Sequence, residues 1–203
     1  MGSLRSFNLK QYIDTFQLTG FIETGLGWGH GIQYARTFEF EKLYSIEISP
    51  QVVIKYYNTY KHDCKIETIV GNSIDGLELV FEQKIASQFK YLIFLDAHFP
   101  AADLGVAGFN DEKDNSIKYP LLNELKIIKE LRADKGFKDV IIIDDLSFYS
   151  KSHKFPDSHL ISHFGITPPD NDDCLDLIMN YFNETHESFL IEKFSGFGVF
   201  VPR

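Results

Sequence analysis

The segment FIETGLGWGHG at residues 21–31 decides how this chain is read. An apolar run stops at the acid Glu23, and glycines then occupy positions 25, 27, 29 and 31. Glycine carries no Cβ, so such a stretch turns tightly and lets a ligand approach the backbone closely. The helical pattern LKQYIDTF (Leu9–Phe16) precedes it and IQYARTF follows it. Residues 21–23 therefore read as a short strand between two helices.

Outward from that unit the alternation recurs. KLYSIEI at residues 42–48 reads as a second strand closing around Glu47. Ser49 and Pro50 then suit the N-cap and first position of a helix through QVVIKYYNTY. KIETIV at residues 65–70 is a third strand, and GNSIDGLELVFEQ leads into another helix. YLIFLD at residues 91–96 is a fourth, followed by a polar stretch, residues 100–118, expected to form a mobile loop over the strand ends. In YPLLNELKIIKELRA, residues 119–133, Leu121, Leu125, Ile128 and Leu131 share one helical face. DVIIID at residues 139–144 is a fifth strand. A second long connection, residues 146–173, carries His153, His159, His163, Pro156, Pro168 and Pro169 and reads as loop with one short helical turn. Residues 174–182 predict a last helix, and residues 187–194 and 198–201 a closing hairpin across SGFG. The order predicts an α/β fold: a mostly parallel sheet with helices on both faces, right-handed crossovers and an antiparallel hairpin, in one domain spanning residues 1–203.

Composition narrows the partners. A net charge of −9, from 29 acidic and 20 basic residues, argues against nucleic acid, because no basic tract compensates locally. Cys64 and Cys174 are too few for a disulfide framework, which suits a reducing, cytoplasmic setting. No run is long and apolar enough for membrane insertion, and no basic-then-apolar leader opens the chain. The 19 phenylalanines and 10 tyrosines supply core, with rings left over to line a cleft or a homodimer interface.

Open α/β sheets bind ligands beyond the carboxyl ends of their strands, near the point where strand order reverses. That rule gathers Glu23, Thr24, the glycine loop, Glu47, the GNS stretch at residues 71–73, Asp96, His98, Asp144 and Asp145 around one crevice. A P-loop is excluded, since no GK[ST] follows the glycines. Glu47, twenty residues beyond Gly27, is placed to accept both ribose hydroxyls of an adenosyl nucleoside or of NAD. Glu23 would repel a pyrophosphate, but it suits the cationic amino and sulfonium end of S-adenosylmethionine. Asp96, Asp144 and Asp145 follow the most apolar strands. Three converging carboxylates need a cation or bound protons, and an oxygen-rich set favours Mg²⁺, Mn²⁺ or Ca²⁺. Helix capping and salt bridging are the alternatives for these acids.

ETGLGWG followed by an acidic end to strand two resembles the cofactor site of class I S-adenosylmethionine-dependent methyltransferases. GNS is similar to their strand-three loop, and the order of elements resembles their Rossmann-like, seven-stranded sheet, from about residue 19 to the C-terminus. The resemblance implies cofactor contacts from Glu23, Thr24, Gly25, Gly27, Gly29, Glu47, Asn72, Ser73 and Asp96. FLDAHF and IIIDD further resemble metal-dependent O-methyltransferases of the catechol and macrolide-sugar groups, and small methyltransferases of glycan biosynthesis. Those families imply Asp96, Asp144 and Asp145 as metal ligands. They place a histidine or lysine base three residues beyond the first ligand, where this chain has Phe99. His98 is therefore the expected base, with metal contact, substrate contact and a structural bond as its other roles.

The implied activity is metal-assisted O-methylation of a sugar, nucleotide sugar or glycan hydroxyl. A catechol or polyol acceptor, an NAD-dependent oxidoreductase and a non-catalytic nucleoside-binding scaffold are the competing expectations. Glu124 is placed to reach the site from its helix, but with no assigned chemistry. Trp28 and Tyr149 suit the cofactor, the acceptor or the core equally.

Overall fold

The computed structural model describes residues 3–99, 102, 105, 107–163 and 173–203. Its strands are β1 (Gly20–Thr24), β2 (Lys42–Glu47), β3 (Ile66–Val70), β4 (Tyr91–Leu95), β5 (Val140–Ile143), β6 (His186–Ile191) and β7 (Phe197–Pro202). They form one seven-stranded sheet in the order β3-β2-β1-β4-β5-β7-β6. β1 to β5 pair in parallel, while β7 runs antiparallel to both β5 and β6. The helices are α1 (Leu9–Phe16), α2 (His30–Ala35), α3 (Pro50–Tyr60), α4 (Ser73–Glu82), α5 (Asn115–Lys118), α6 (Leu121–Leu131), α7 (His159–His163) and α8 (Leu175–Met179). Among the described residues, no helix is long and apolar enough to cross a membrane.

The two-residue period of the strands builds two cores at once. Phe21, Leu43, Leu92, Phe94, Val140 and Ile142 face one side, where they meet Leu9 of α1, Ile32 and Ala35 of α2 and Phe197 of β7. Ile22, Tyr44, Ile93, Leu95, Ile141 and Ile143 face the other, against Leu77 and Val80 of α4 and Leu125 and Ile128 of α6. A parallel sheet is covered on both faces, so β1, β4 and β5 are buried at every position. From β1 the chain steps outward to β2 and β3, then returns to the other side of β1 as β4. The strand order therefore reverses between β1 and β4, which opens a crevice at their carboxyl ends.

The opposite ends are fastened by an ion pair. Arg132, 2% exposed, donates from Nε and Nη2 to the two oxygens of Asp139, each at 2.7 Å. It also donates to the carbonyls of Ala86 and Phe89 at 3.0 and 2.8 Å. Asp139 in turn accepts the Tyr91 N–H at 2.8 Å, which ties the start of β4 to that of β5.

Two elements differ from expectation. The helix expected over residues 174–182 closes after five residues as α8. The hairpin register pairs Ile191 with Phe197, so the first strand stops at Ile191, short of the expected residue 194, and β7 begins one residue before the expected Gly198. Phe194 and Gly196, with φ of 53° and 84°, reverse the chain instead. Within the expected loop over the strand ends, residues 115–118 form α5, while residues 100, 101, 103, 104 and 106 lie outside the described residues, as do Pro168 and Pro169 of the second connection.

Candidate active site

A cavity of about 320 Å³ occupies the crevice. The glycine loop, Glu47, Asn72, Ser73, Asp96, His98, Asp144 and Asp145 line it, joined by Ser3 and Leu4 from the N-terminal segment and Ser116 and Ile117 from α5. No local pattern in the sequence marks those last four, which reach the cavity only through the fold.

The glycine loop is shaped by backbone strain that other residues resist. Gly25, Gly27 and Gly29 have φ of 83°, 47° and 70°. A Cβ on Gly25 would stand 2.8 Å from the Asp96 carbonyl oxygen, so this glycine lets β1 and β4 close at their ends. Glu47 holds the loop in place. Its Oε2 accepts the Gly27 N–H at 3.1 Å and its Oε1 the Ser49 N–H at 2.9 Å. Each oxygen keeps a lone pair for a ligand hydroxyl.

Of the expected cofactor residues, Glu23 and Asn72 line the cavity and Thr24 lies beside it. Thr24 is fully buried, and its hydroxyl accepts the Asp96 N–H at 3.4 Å behind the cavity wall. Asn72 lines the cavity, but its side chain caps α4, accepting the Asp75 N–H at 2.9 Å and donating to the Asp75 carboxylate at 2.7 Å. Glu23 is 1% exposed, and the space it occupies beside α2 exists because Gly31 lacks a Cβ. Burial pushes the Glu23 carboxyl up to about 8, against the Ser45 hydroxyl bond at 2.6 Å and the Ile32 N–H, which pull it down. The expected anionic neighbour of a cationic cofactor is thus a mostly protonated carboxyl at neutral pH.

Asp96, His98 and Asp145 converge. One ligand atom from each lies within 4.8 Å of the others. His98 Nε2 is 3.1 Å from Asp145 Oδ2, and its Nδ1 is 3.9 Å from Asp96 Oδ1. Phe99 and Phe148 hold the imidazole, with ring centroids 5.0 and 5.2 Å away. Asp145 adopts a left-handed conformation with φ 57°, and its Oδ1 is buried without a hydrogen-bond partner. Two carboxylates and an imidazole gathered this closely form a donor set that fits a divalent cation.

Asp144 is the third expected metal ligand. It lines the cavity but stands outside that cluster, because its Oδ1 turns back to accept the Asp145 N–H at 2.8 Å. Successive side chains leave a strand on opposite sides, so two adjacent acids do not both reach one point unless the backbone bends. Burial and the neighbouring Asp145 charge push the Asp144 carboxyl well up. For Asp145, burial is outweighed by the hydrogen bond and charge of His98, which keep it ionised. Phe99, where the related families place a base, is 2% exposed and packs on Phe109, Tyr119 and Phe148.

Sequence reading left Glu124 without a role, although it stands on the apolar face of α6 beside Leu121, Leu125 and Ile128. That position was the available signal. Glu124 is 1% exposed, and burial lifts its carboxyl to about 7.

No protein-family model matches the chain, and no curated protein matches its sequence. Solved structures do match it. One is described as a candidate caffeoyl-CoA O-methyltransferase from Staphylococcus aureus, with 15% identity and TM-score 0.58 over 100% of this chain and 85% of that one. A candidate O-methyltransferase from Klebsiella pneumoniae follows at 16% identity and TM-score 0.53, over 100% and 81% of the two chains. The N-methyltransferase NodS from Bradyrhizobium japonicum WM9 matches at 10% identity and TM-score 0.51, over 96% and 91%. At such identities the likeness is one of architecture, and it spans proteins described with oxygen and with nitrogen acceptors. The chain has the Rossmann-like fold of these methyltransferases, with its seven-stranded sheet and C-terminal antiparallel hairpin.

Proposed function

We propose that the protein is an S-adenosylmethionine-dependent, divalent-metal-assisted O-methyltransferase whose acceptor is a hydroxyl of a sugar or glycan. The observation that carries this reading is the meeting of two sites in one crevice: the loop anchored by Glu47, and the cluster of Asp96, His98 and Asp145 within 4.8 Å. An oxygen-rich donor set favours an oxygen nucleophile, and the net charge of −9 disfavours a nucleic-acid acceptor.

The chain's own groups divide the work. Glu47 accepts the ribose hydroxyls, and the glycine loop admits the nucleoside against bare backbone. Asp96 and Asp145 would hold the cation. When bound, S-adenosylmethionine supplies the methyl group and the cation makes an acceptor hydroxyl more acidic. His98, held by Asp145 Oδ2 3.1 Å from its Nε2, stands beside the cluster as the proposed base for the hydroxyl proton. Phe99 and Phe148 keep that ring in place.

Calorimetric titration with S-adenosylhomocysteine, with and without Mg²⁺, tests the reading. Saturable binding is expected in both conditions, with Mg²⁺ heat lost in Asp96→Ala. His98→Ala should keep Mg²⁺ binding and lose methyl transfer at least about a hundredfold. Loss of Mg²⁺ binding in His98→Ala would instead make the histidine a ligand. Binding of NAD without S-adenosylhomocysteine would replace the methyltransferase with an oxidoreductase. Nucleoside binding with no transfer to sugars, catechols or polyols would favour a scaffold.

A further inference from the structure

Trp28 is the single tryptophan of the chain, and it is 48% exposed. Tyr149, which shared its reading in the sequence, is buried in the core, whereas Trp28 lines the crevice. The Gly29 N–H bonds the Leu26 carbonyl at 2.7 Å, which closes a turn over residues 26–29 and carries Trp28 on it. Gly27, in the same turn, is held by Glu47. From α3, Lys55 Nζ stands 4.6 Å from the centre of a Trp28 ring and 5.5 Å from that of Tyr56. An aromatic face attracts an ammonium group, so the indole is held at the crevice mouth without being buried. The sheet order then assigns it to one half of the crevice. α3 follows β2, so Lys55 ties Trp28 to the β2 side of β1, where Glu47 lies. The cluster of Asp96, His98 and Asp145 follows β4 and β5, on the other side of β1. An apolar ring kept half in water beside a ligand groove gains when the ligand covers it.

We propose that Trp28 is a binding residue for the nucleoside, its indole packing against the ligand beside Glu47, and that Lys55 is a positioning residue which presents the ring. This inference rests on the reading of the crevice as a nucleoside site.

The test titrates S-adenosylhomocysteine into the protein and follows it by calorimetry and by tryptophan emission, which here reports Trp28 alone. The emission should change and saturate at the calorimetric Kd. Trp28→Ala should weaken binding about tenfold and leave the thermal midpoint of the unliganded protein unchanged. Trp28→Phe keeps an aromatic face and should recover part of that loss. Lys55→Met should weaken binding less than Trp28→Ala does, and Lys55→Arg should restore it, because a guanidinium also seats on an aromatic face. Emission that stays unchanged at calorimetric saturation overturns the proposal, and needs no variant to fold. So does wild-type affinity in Trp28→Ala, or a loss that tracks the thermal midpoint without rescue by phenylalanine. A raised KM for the acceptor with unchanged S-adenosylhomocysteine affinity overturns it too, by placing the ring at the acceptor. Wild-type affinity in Lys55→Met removes the role given to Lys55. If calorimetry detects no binding to the wild-type protein, the nucleoside reading falls and this inference with it. Calorimetric binding with silent emission removes this inference alone.

Discussion

Glu23 shows how far one residue can be moved from its usual chemistry by its surroundings. Its folded carboxyl titrates near 8 against an ordinary value of 4.5, chiefly because burial disfavours the charge. The folded state therefore binds the proton more tightly than the unfolded chain does. Stability from this group is complete below the unfolded value and is lost as pH rises toward 8. The full swing is on the order of 5 kcal/mol. Glu23→Gln should flatten the fall in thermal midpoint between pH 5 and about 8.5. Some slope should remain, because Glu124, raised to about 7, acts with the same sign. An unchanged slope in Glu23→Gln would assign the pH dependence to other groups. Asp145 is the counterpart, kept ionised by His98 only 3.1 Å away.

At the scale of elements, the join between β1 and α2 carries the most constraint. Gly25→Ala places a Cβ both at φ 83° and against the Asp96 carbonyl. Such strain costs about 1–3 kcal/mol. The change should lower the thermal midpoint and weaken S-adenosylhomocysteine binding at least about tenfold, as measured by melting and calorimetry. Binding within twofold of wild type would show that the loop bends without cost. The same join shows what a one-dimensional pattern carries. ETGLGWG announces a tight turn after a strand, and positive φ at three of its glycines agrees. The adjacent acids of IIIDD announce two ligands, but only Asp145 joins the cluster. Its left-handed backbone and the Asp144 cap are tertiary outcomes that two consecutive aspartates do not encode. Helix ends were legible where capping residues mark them, as at Ser49 and Pro50. The end of α8 was missed, although Asn180 closes it, its side chain donating to the Asp176 carbonyl at 2.8 Å.

The whole molecule separates its fastening from its chemistry. Arg132 and Asp139 lock the amino-terminal ends of β4 and β5, while every proposed site residue lies at the opposite ends of the strands. Removing one partner of a buried, hydrogen-bonded pair costs about 3–5 kcal/mol. For a chain of this size Arg132→Leu should lower the thermal midpoint by about 10 °C. S-adenosylhomocysteine affinity at 20 °C should stay within about twofold of wild type. A selective loss of affinity with the midpoint unchanged would contradict this division. Neither Arg132 nor Asp139 stands out in sequence, because a buried ion pair is built from two residues that look like ordinary surface charges.

The sequence by itself determined the alternation of strand and helix, the closing hairpin, the crevice and most of the residues around it. Those features follow from local periodicity, glycine placement and the stopping of apolar runs at acids, all of which act over a few residues. The tertiary structure decided which groups meet. It brought His98 to Asp145, turned Asp144 back onto the Asp145 N–H, hid Thr24 behind the wall and buried Glu124. Such encounters depend on strand register, backbone twist and burial across long stretches of chain, which also determine whether a carboxyl such as Glu23 carries a charge at all.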